Sequence, residues 1–178
     1  MSAQAAFRTK ILFDTNQLLQ RAKSEEEILS QTASQLMKLL NRSLIVYPEQ
    51  NGDLGLEQVF WVDGKTVQNI FSAPEERDAA NWTFANKKRS GAGTDSYPDA
   101  KGLYLALRTG GGVFGVVGID LSEKPLDAFE NSVLLSILGE GALAIENRRN
   151  ALEKEQAALQ ARNEELRANL LRTISHDL

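Results

Sequence analysis

One residue pair near the end of the chain has side chains suited to group-transfer chemistry. His176 is the only histidine among the 178 residues, and Asp177 follows it directly. An imidazole can serve as nucleophile, acid or base, and a neighbouring carboxylate can accept its proton. The residues alone leave three roles open: an idle exposed histidine, a histidine reached by another domain, or the general base of a hydrolase. The hydrolase is disfavoured, because adjacent helical residues point about 100° apart and no oxyanion-forming loop lies nearby.

The composition excludes several classes of function. The absence of cysteine excludes disulfides, thiolate catalysis and cysteine-based zinc sites, and a single histidine excludes multi-histidine metal sites. We therefore predict no metal site. The net charge of −4 indicates no general attraction to nucleic acid. No apolar run approaches the roughly 18 residues required to cross a bilayer, so the chain is expected to be soluble by itself.

Three helices are predicted before the last third of the chain. Apolar residues recur at helical spacing over about residues 3–22, a segment that we interpret as a linker leading into the domain. Ser24 followed by Glu27 is a capping-box pattern, and it predicts a second helix that ends near Asn41. A third helix should begin around Pro74 and run to about residue 88.

A β-sheet is predicted between these helices and after them. Asp63-Gly64 predicts one tight hairpin turn and the glycine-rich segment 109–112 another, so the sheet should be antiparallel. Residues 89–101 are predicted to be the longest irregular loop. Gly110-x-Gly112-x-x-Gly115 matches a dinucleotide fingerprint in spacing alone, because it opens a strand rather than a helix. The predicted strands are residues 43–48, 56–62, 65–71, 102–108 and 113–121.

A single helix is predicted from Pro125 to Leu178, roughly 80 Å long at 1.5 Å per residue. Apolar residues recur at every seventh position along it, which predicts a coiled coil between two parallel copies. The second heptad position that would face the partner, four residues further on, holds mostly polar residues, so the coil should be weak. A solvated single helix is the alternative. The apolar stripe then widens around Ile174, as in a helix that enters a four-helix bundle, and His176 lies opposite that stripe. The heptad residues are Leu138, Ile145, Leu152, Leu159 and Leu166.

Two sets of residues carry a resemblance to a known family. Ser175-His176-Asp177-Leu178 resembles the start of the H-box of sensor histidine kinases. The stretches FDTNQLLQRAKSEEEI, KLLNRS and ANKKRSGAGTDSYPDAKGLYLAL resemble the GAF region of Kdp-type potassium sensor histidine kinases. The similarity covers essentially the whole chain, and Ala106 stands where proline is expected in the family. The resemblance implies that His176 is the phosphoacceptor and that Asp177 assists it as acid or base.

The resemblance also implies an architecture and a cellular setting. The fold is expected to be α+β, a GAF-like antiparallel sheet with helices on both faces, flanked by an N-terminal helix and a long C-terminal coiled-coil signalling helix. The implied parts are a linker helix (1–22), a GAF sensory core (23–124), a signalling helix (125–169) and the start of the dimerisation and phosphotransfer region (170–178). The parent would be an inner-membrane kinase with transmembrane helices, and this part of it would be cytoplasmic.

The same resemblance implies the partners of the parent protein. ATP and magnesium would serve the parent kinase, whereas this chain is expected to lack the ATP-binding domain, to hold no cofactor and to be inactive alone. The expected partners are a second copy of the chain, the parent's own kinase domain and a response regulator, without nucleic acid. The function expected is that of a sensory and dimerising module that relays a signal to His176. A ligand-free spacer that sets the geometry of the dimer is the alternative.

GAF ligands usually lie between one sheet face and a covering helix and loop, which correspond here to residues 74–101. Bilin attachment and methionine sulfoxide reductase activity need cysteine, and histidine-ligated haem needs a histidine inside the fold, so all three are excluded. The cyclic-nucleotide signature Asn-Lys-Phe-Asp-Glu is absent, which leaves an unidentified small molecule or ion. The basic run at 87–89 is more typical of a helix end than of an anion site. The candidate pocket residues are Trp82, Arg89, Ser90, Thr94, Asp95, Tyr97 and Tyr104.

Overall fold

The computed structural model describes residues 2–62 and 69–177. They divide into two compact units, Met1–Ile145 and Glu146–Leu178. In chain order the elements are α1 (Ala3–Arg21), α2 (Glu25–Leu40), β1 (Leu44–Gln50), β2 (Asp53–Leu54), β3 (Gln58–Phe60), a 3₁₀ turn (Ile70–Ser72), α3 (Pro74–Asn86), β4 (Ser90–Gly91), β5 (Gly102–Thr109), β6 (Gly112–Asp120) and α4 (Ala128–Asp177).

The first unit is built on one antiparallel sheet with the strand order β2-β1-β6-β5-β4, and β3 also pairs with β1. Alternate residues of the strands face opposite sides of the sheet. Leu44 and Val46 of β1 join a core with α1, α2 and α4, whereas Ile45 and Tyr47 join a second core with α3. Helices therefore cover both faces, and the predicted α+β fold with an antiparallel sheet is confirmed.

Reciprocal capping pairs stand at the beginning of two of the helices. The Ser24 hydroxyl accepts a hydrogen bond from the Glu27 N–H (3.1 Å), and the Glu27 carboxylate accepts one from the Lys23 N–H (2.7 Å), as the capping-box pattern predicts. A second reciprocal pair opens α4, where Asp127 and Glu130 each accept a hydrogen bond from the other's N–H. The helix begins at Ala128, three residues after the predicted start at Pro125, because this pair caps it there.

Two other expectations need correction. Residues 65–71 were expected to form a strand, but Ile70 and Phe71 lie in a 3₁₀ turn capped by the Asn69 side chain; the Asp63-Gly64 turn lies outside the described residues. The two-residue strand β4 begins at Ser90, inside the segment expected to be irregular. The predicted helix start at Pro74 is correct, and Ala73 is the N-cap residue.

The helix expected to be a linker contributes to the core. Ile11 and Leu19 of α1 are buried against α2, α4 and the sheet. The Thr15 hydroxyl, also buried, accepts a hydrogen bond from the Gln35 side-chain amide of α2 at 3.0 Å. These contacts tie α1 to the globular unit.

A buried arginine fixes the connection between β6 and α4. The Arg42 guanidinium donates to the carbonyl oxygens of Asp120, Lys124 and Pro125 at 2.6–3.1 Å, and its Nε lies 3.6 Å from the Glu130 carboxylate. Because an arginine presents several donors in a rigid fork, one side chain can bind three carbonyl oxygens of this connection. It therefore sets the direction in which α4 enters the core.

One window of α4 is long and apolar enough to cross a membrane by length and composition alone, which corrects the expectation that no such stretch exists. The first part of α4 belongs to the core of the globular unit, because residues such as Leu134 and Ile137 are fully buried there. Of the apolar window, 39% is buried inside the structure, as in the core helix of a globular unit.

The second unit is the helical segment 146–177, whose residues from 151 onward are all exposed. Leu152, Leu159 and Leu166 form the exposed part of the predicted heptad line. Its first two members, Leu138 and Ile145, are instead buried in the first unit. The line open to a partner therefore has three leucines rather than five apolar residues.

Candidate functional site

A buried carboxylate organises the sheet face that α3 covers. Glu76 lies in the first turn of α3 and is only 2% exposed. Its two oxygens accept hydrogen bonds from the N–H groups of Lys101 (3.0 Å) and Gly102 (2.9 Å) and from the Tyr104 hydroxyl (2.8 Å). Three donors around one carboxylate compensate for its removal from water. The network joins the start of α3 to the start of β5.

Tyr104 fills the centre of this face. Its ring passes over Gly118 of β6, where an added Cβ would collide with the ring and would lie 2.7 Å from an Ile45 methyl group. Burial and the adjacent Glu76 carboxylate raise the pKa of Tyr104 far above its ordinary value, so the hydroxyl stays protonated and remains a donor. The side chain is therefore held in place by shape and by one hydrogen bond.

Tyr47 lies on the same face and is buried as well. Burial, with a further contribution from the Glu57 carboxylate, raises its pKa to about 12. The Arg77 guanidinium lies 5.3 Å from the centre of the Tyr47 ring and 3.0 Å from a Glu57 oxygen. The positive charge of Arg77 lowers the pKa of Tyr47 and so offsets part of this rise.

The candidate residue Ser90 is also committed to internal contacts. Its hydroxyl donates to the Ala79 carbonyl oxygen of α3 (2.7 Å) and lies 2.7 Å from the Thr83 hydroxyl. Ser90 and Tyr104 are directly opposite each other in the β4–β5 pair. The structure therefore brings these two candidates together, with both hydroxyls used to bind α3 to the sheet.

The loop that follows β4 is built from consecutive tight turns. The Thr94 hydroxyl contacts the carbonyl oxygens of Gly91 and Ser96 at 2.8 Å, and the Gly91 N–H donates to the Ser96 carbonyl. Tyr97 has a φ of 57°, an uncommon value for a tyrosine, and its side chain packs against the core beneath α3. Asp95 is exposed at the tip of the loop.

The two remaining candidates lie apart from this cluster. Arg89 is exposed, and its guanidinium donates to the Asn131 side chain of α4 (2.7 Å), so it reaches toward the opposite face of the sheet from Tyr104. Trp82 lies on α3 and is partly exposed. The seven candidates therefore do not converge on one cavity wall.

A cavity of about 410 Å³ lies beside Glu76, at the start of α3. None of the seven candidate residues lines it. Glu75, Glu76 and Asp99 contribute carboxylates and Lys101 contributes one ammonium group. No group of histidine, aspartate and glutamate side chains in residues 2–62 and 69–177 has the arrangement of a metal site.

The histidine–aspartate pair lies at the end of α4, and both side chains are exposed. Residues such as Leu171 and Ile174 that precede it are also exposed, at 60% and 49%. An apolar stripe and an imidazole are thus both open to a partner on this last stretch of helix.

Glu76 was missed by the sequence analysis. Its position in the first turn of α3 is typical of an exposed acidic residue that complements the helix dipole. Its partners lie 25 to 28 residues further along the chain. Only the pairing of β5 brings them to the carboxylate, so no local pattern could have singled it out.

Comparison with known proteins identifies relatives of this chain. No protein-family model matches the chain. The sensor protein KdpD of Clostridium acetobutylicum is 33% identical over 172 residues, 96% of this chain and 19% of the relative. The sensor protein KdpD of Escherichia coli is 27% identical over 174 residues, 96% of this chain and 18% of that protein. The chain carries a GAF domain of the KdpD type.

The crystal structure of the GAF domain of the Escherichia coli potassium sensor histidine kinase KdpD has the same fold. It superposes with a TM-score of 0.59 at 22% identity, covering 85% of this chain and 99% of that one. The present chain spans about a fifth of the length of the KdpD relatives it matches. The agreement therefore concerns the KdpD-type GAF domain and its flanking helices.

Proposed function

We propose that the chain is the sensory and dimerising module of a KdpD-type sensor histidine kinase and that it relays a signal along α4 to the phosphoacceptor His176. The observation that carries the proposal is the exposed His176–Asp177 pair at the end of α4, in a chain related to KdpD over nearly its whole length. In the parent protein, ATP with magnesium would supply the phosphoryl group, and a response regulator would receive it. The parent would be held at the membrane by helices outside this chain.

The chemistry assigns a role to each member of the pair. One ring nitrogen of neutral His176 attacks the γ-phosphorus of ATP, a P–N bond forms and the bond to ADP breaks. The proton on the other ring nitrogen is shared with a carboxylate, which stabilises the positive charge of the phosphorylated ring. Asp177 supplies this carboxylate when the adjoining domains bring the segment into the catalytic complex.

Labelling of the full-length kinase with γ-³²P-ATP tests this role. His176→Gln should abolish incorporation of label, and Asp177→Asn should slow it. Ser175→Ala is the matched control, because it removes the nearest hydroxyl group while keeping the histidine. Retained labelling of His176→Gln, or loss of labelling in Ser175→Ala, would refute the assignment.

A ligand-free spacer is the second candidate function, and it is favoured by the internal hydrogen bonds of Ser90 and Tyr104. A spacer would set the symmetry and spacing of two chains without binding a small molecule. The two functions differ in a thermal-shift screen of the 178-residue chain with metabolites and salts, because a ligand that binds the folded state raises the melting temperature. A dose-dependent rise supports the sensory function, and its absence across the screen supports the spacer.

A further inference from the structure

One side of β5 is open along half of its length. On one side β6 pairs with it from Gly102 to Thr109. On the other side the pairing with β4 includes only Leu103 and Tyr104. Beyond Tyr104, no strand in the described ranges 2–62 and 69–177 pairs on this side. An unpaired strand edge is a template to which another extended chain can add.

The direction of the backbone groups on this edge follows from the ladder. The Gly102 carbonyl accepts a hydrogen bond from the Ala92 N–H at 2.9 Å, and Tyr104 lies opposite Ser90. Backbone groups that point to the same side of a strand recur at every second residue. Ala106 is the next residue in this series, so its N–H and C=O point away from β6, toward the open edge.

A groove of about 260 Å³ runs beside this edge. One wall is the chain segment between α3 and β4, and the other is the surface of α4 around Leu135, which is 49% exposed. Four of its nine lining residues are basic and none is acidic. The lining residues are Lys87, Lys88, Arg89, Leu105, Ala106, Arg108, Leu135, Leu138 and Gly139.

We propose that the open edge of β5 is a docking site for an extended segment of a partner protein whose side chains alternate between acidic and apolar. Strand addition at Ala106 would satisfy the outward backbone groups. Successive side chains of an added strand point to opposite faces, so one set would meet Lys88 and Arg108 while the other would lie on Leu135. A free anion or a lipid headgroup could use the basic side chains, but it would leave the backbone groups and the leucine without partners.

The basic residues also have a purely protective explanation. Lysines beside an open strand commonly prevent edge-to-edge aggregation, and they need no partner to do so. The two explanations differ in one measurable respect. A docking site discriminates between peptides of the same charge by their alternation and by their backbone N–H groups, and a guarded edge does not.

The test measures binding of a fluorescein-labelled peptide, Gly-Glu-Val-Glu-Leu-Glu-Val-Gly, to the 178-residue chain by fluorescence anisotropy. Two control peptides keep its composition and charge: one groups the glutamates in a block, and one carries N-methyl groups on alternate backbone amides. Both should bind at least tenfold more weakly, equivalent to about 1.4 kcal/mol. Lys88→Glu should weaken binding of the alternating peptide by a similar factor.

Two substitutions at one position test the backbone contact itself. Ala106→Pro removes the outward N–H and is compatible with an edge strand, whereas Ala106→Val keeps the N–H and adds bulk. Proline should weaken binding of the alternating peptide at least tenfold, and valine should leave it within about threefold. Thermal melts establish that each variant is folded, and the N-methylated peptide tests the same contact without altering the protein.

Several results would overturn the proposal. Equal binding of the alternating, blocked and N-methylated peptides would reduce the site to a non-specific cationic patch. Absence of binding up to 1 mM peptide would favour the guarded edge. Inorganic phosphate or phosphatidylglycerol vesicles that bind at Lys88 while the peptide does not would assign the groove to a free anion or to the membrane. A dimer that Ala106→Pro converts to a monomer would assign the edge to a second copy of the chain.

Discussion

Replacing Glu76 by glutamine should cost the globular unit about 3 kcal/mol of unfolding free energy. The glutamine amide can still offer one oxygen to the Gly102 N–H and the Tyr104 hydroxyl, but its NH₂ group would face the Lys101 N–H, donor against donor. An unpaired buried donor costs about 1–3 kcal/mol, and hydrogen bonds to a neutral oxygen are roughly half as strong as those to a carboxylate. Tyr104→Phe, which removes one donor, should cost about 1.5 kcal/mol.

Urea unfolding followed by tryptophan fluorescence measures these differences. Trp61 and Trp82 both lie in the first unit, so their signal reports the unit that contains the network. Glu75→Gln is the matched control, because that neighbouring carboxylate is exposed, and its effect should stay within about 0.5 kcal/mol. Combining the Glu76→Gln and Tyr104→Phe substitutions should give a double-mutant coupling of about 1 kcal/mol.

The reasoning fails if Glu76→Gln and Glu75→Gln have equal unfolding free energies. It also fails if the effects of Glu76→Gln and Tyr104→Phe add without coupling, because residues that share a hydrogen bond must be energetically linked. In either case the attachment of α3 to β5 would depend on apolar packing alone.

Two glycines of α4 should respond to alanine in opposite ways. Gly139→Ala should stabilise the fold by about 0.5–1 kcal/mol and raise the melting temperature, because no described residue has an atom within 4 Å of the new methyl group. Gly141→Ala should lower the melting temperature, because the methyl carbon would lie 2.8 Å from the Thr32 hydroxyl. Calorimetric midpoints that shift in the same direction for both variants would contradict these two predictions. Burial raises the pKa of the Glu140 carboxyl above its ordinary value of 4.5, so its contribution to stability is present below that value and is lost as pH rises through the folded-state pKa. Glu140→Gln should therefore raise the melting temperature at pH 7 and lose this advantage near pH 4, and an advantage of equal size at both pH values would be evidence against it.

The features predicted correctly from the sequence are those that depend on neighbouring residues. The capping pair Ser24 and Glu27 lies within one helical turn, and both hydrogen bonds form. Asn41 takes a φ of 51° at the end of α2, where a helix needs a residue that tolerates the left-handed region. The segment 113–121 is likewise predicted to be a strand, and β6 spans Gly112–Asp120.

The features that were missed depend on residues far apart in the chain. Ser90 begins a strand because Tyr104 lies opposite it, and nothing in the sequence from 89 to 101 indicates that pairing. Arg42 is buried because three carbonyl oxygens of the β6–α4 connection, about 80 residues away, accept its hydrogen bonds. The candidate pocket residues were selected by type, whereas the direction of each side chain is set by the strand or helix face on which it lies.

The burial of Leu138 and Ile145 changes the energetics of the proposed coiled coil. Full burial of a leucine side chain contributes about 1.5–3 kcal/mol, and Leu152, Leu159 and Leu166 are already about half shielded by their own helix, at 44–60% exposure. Each would then contribute about 1 kcal/mol on pairing, so six leucines from two chains would contribute about 6 kcal/mol. Association costs about 4–15 kcal/mol in lost freedom of motion, so pairing through segment 146–177 alone lies close to balance. A signal of a few kcal/mol from the GAF domain is enough to shift such an equilibrium, whereas a seam of five fully exposed apolar residues would hold the helices in one arrangement.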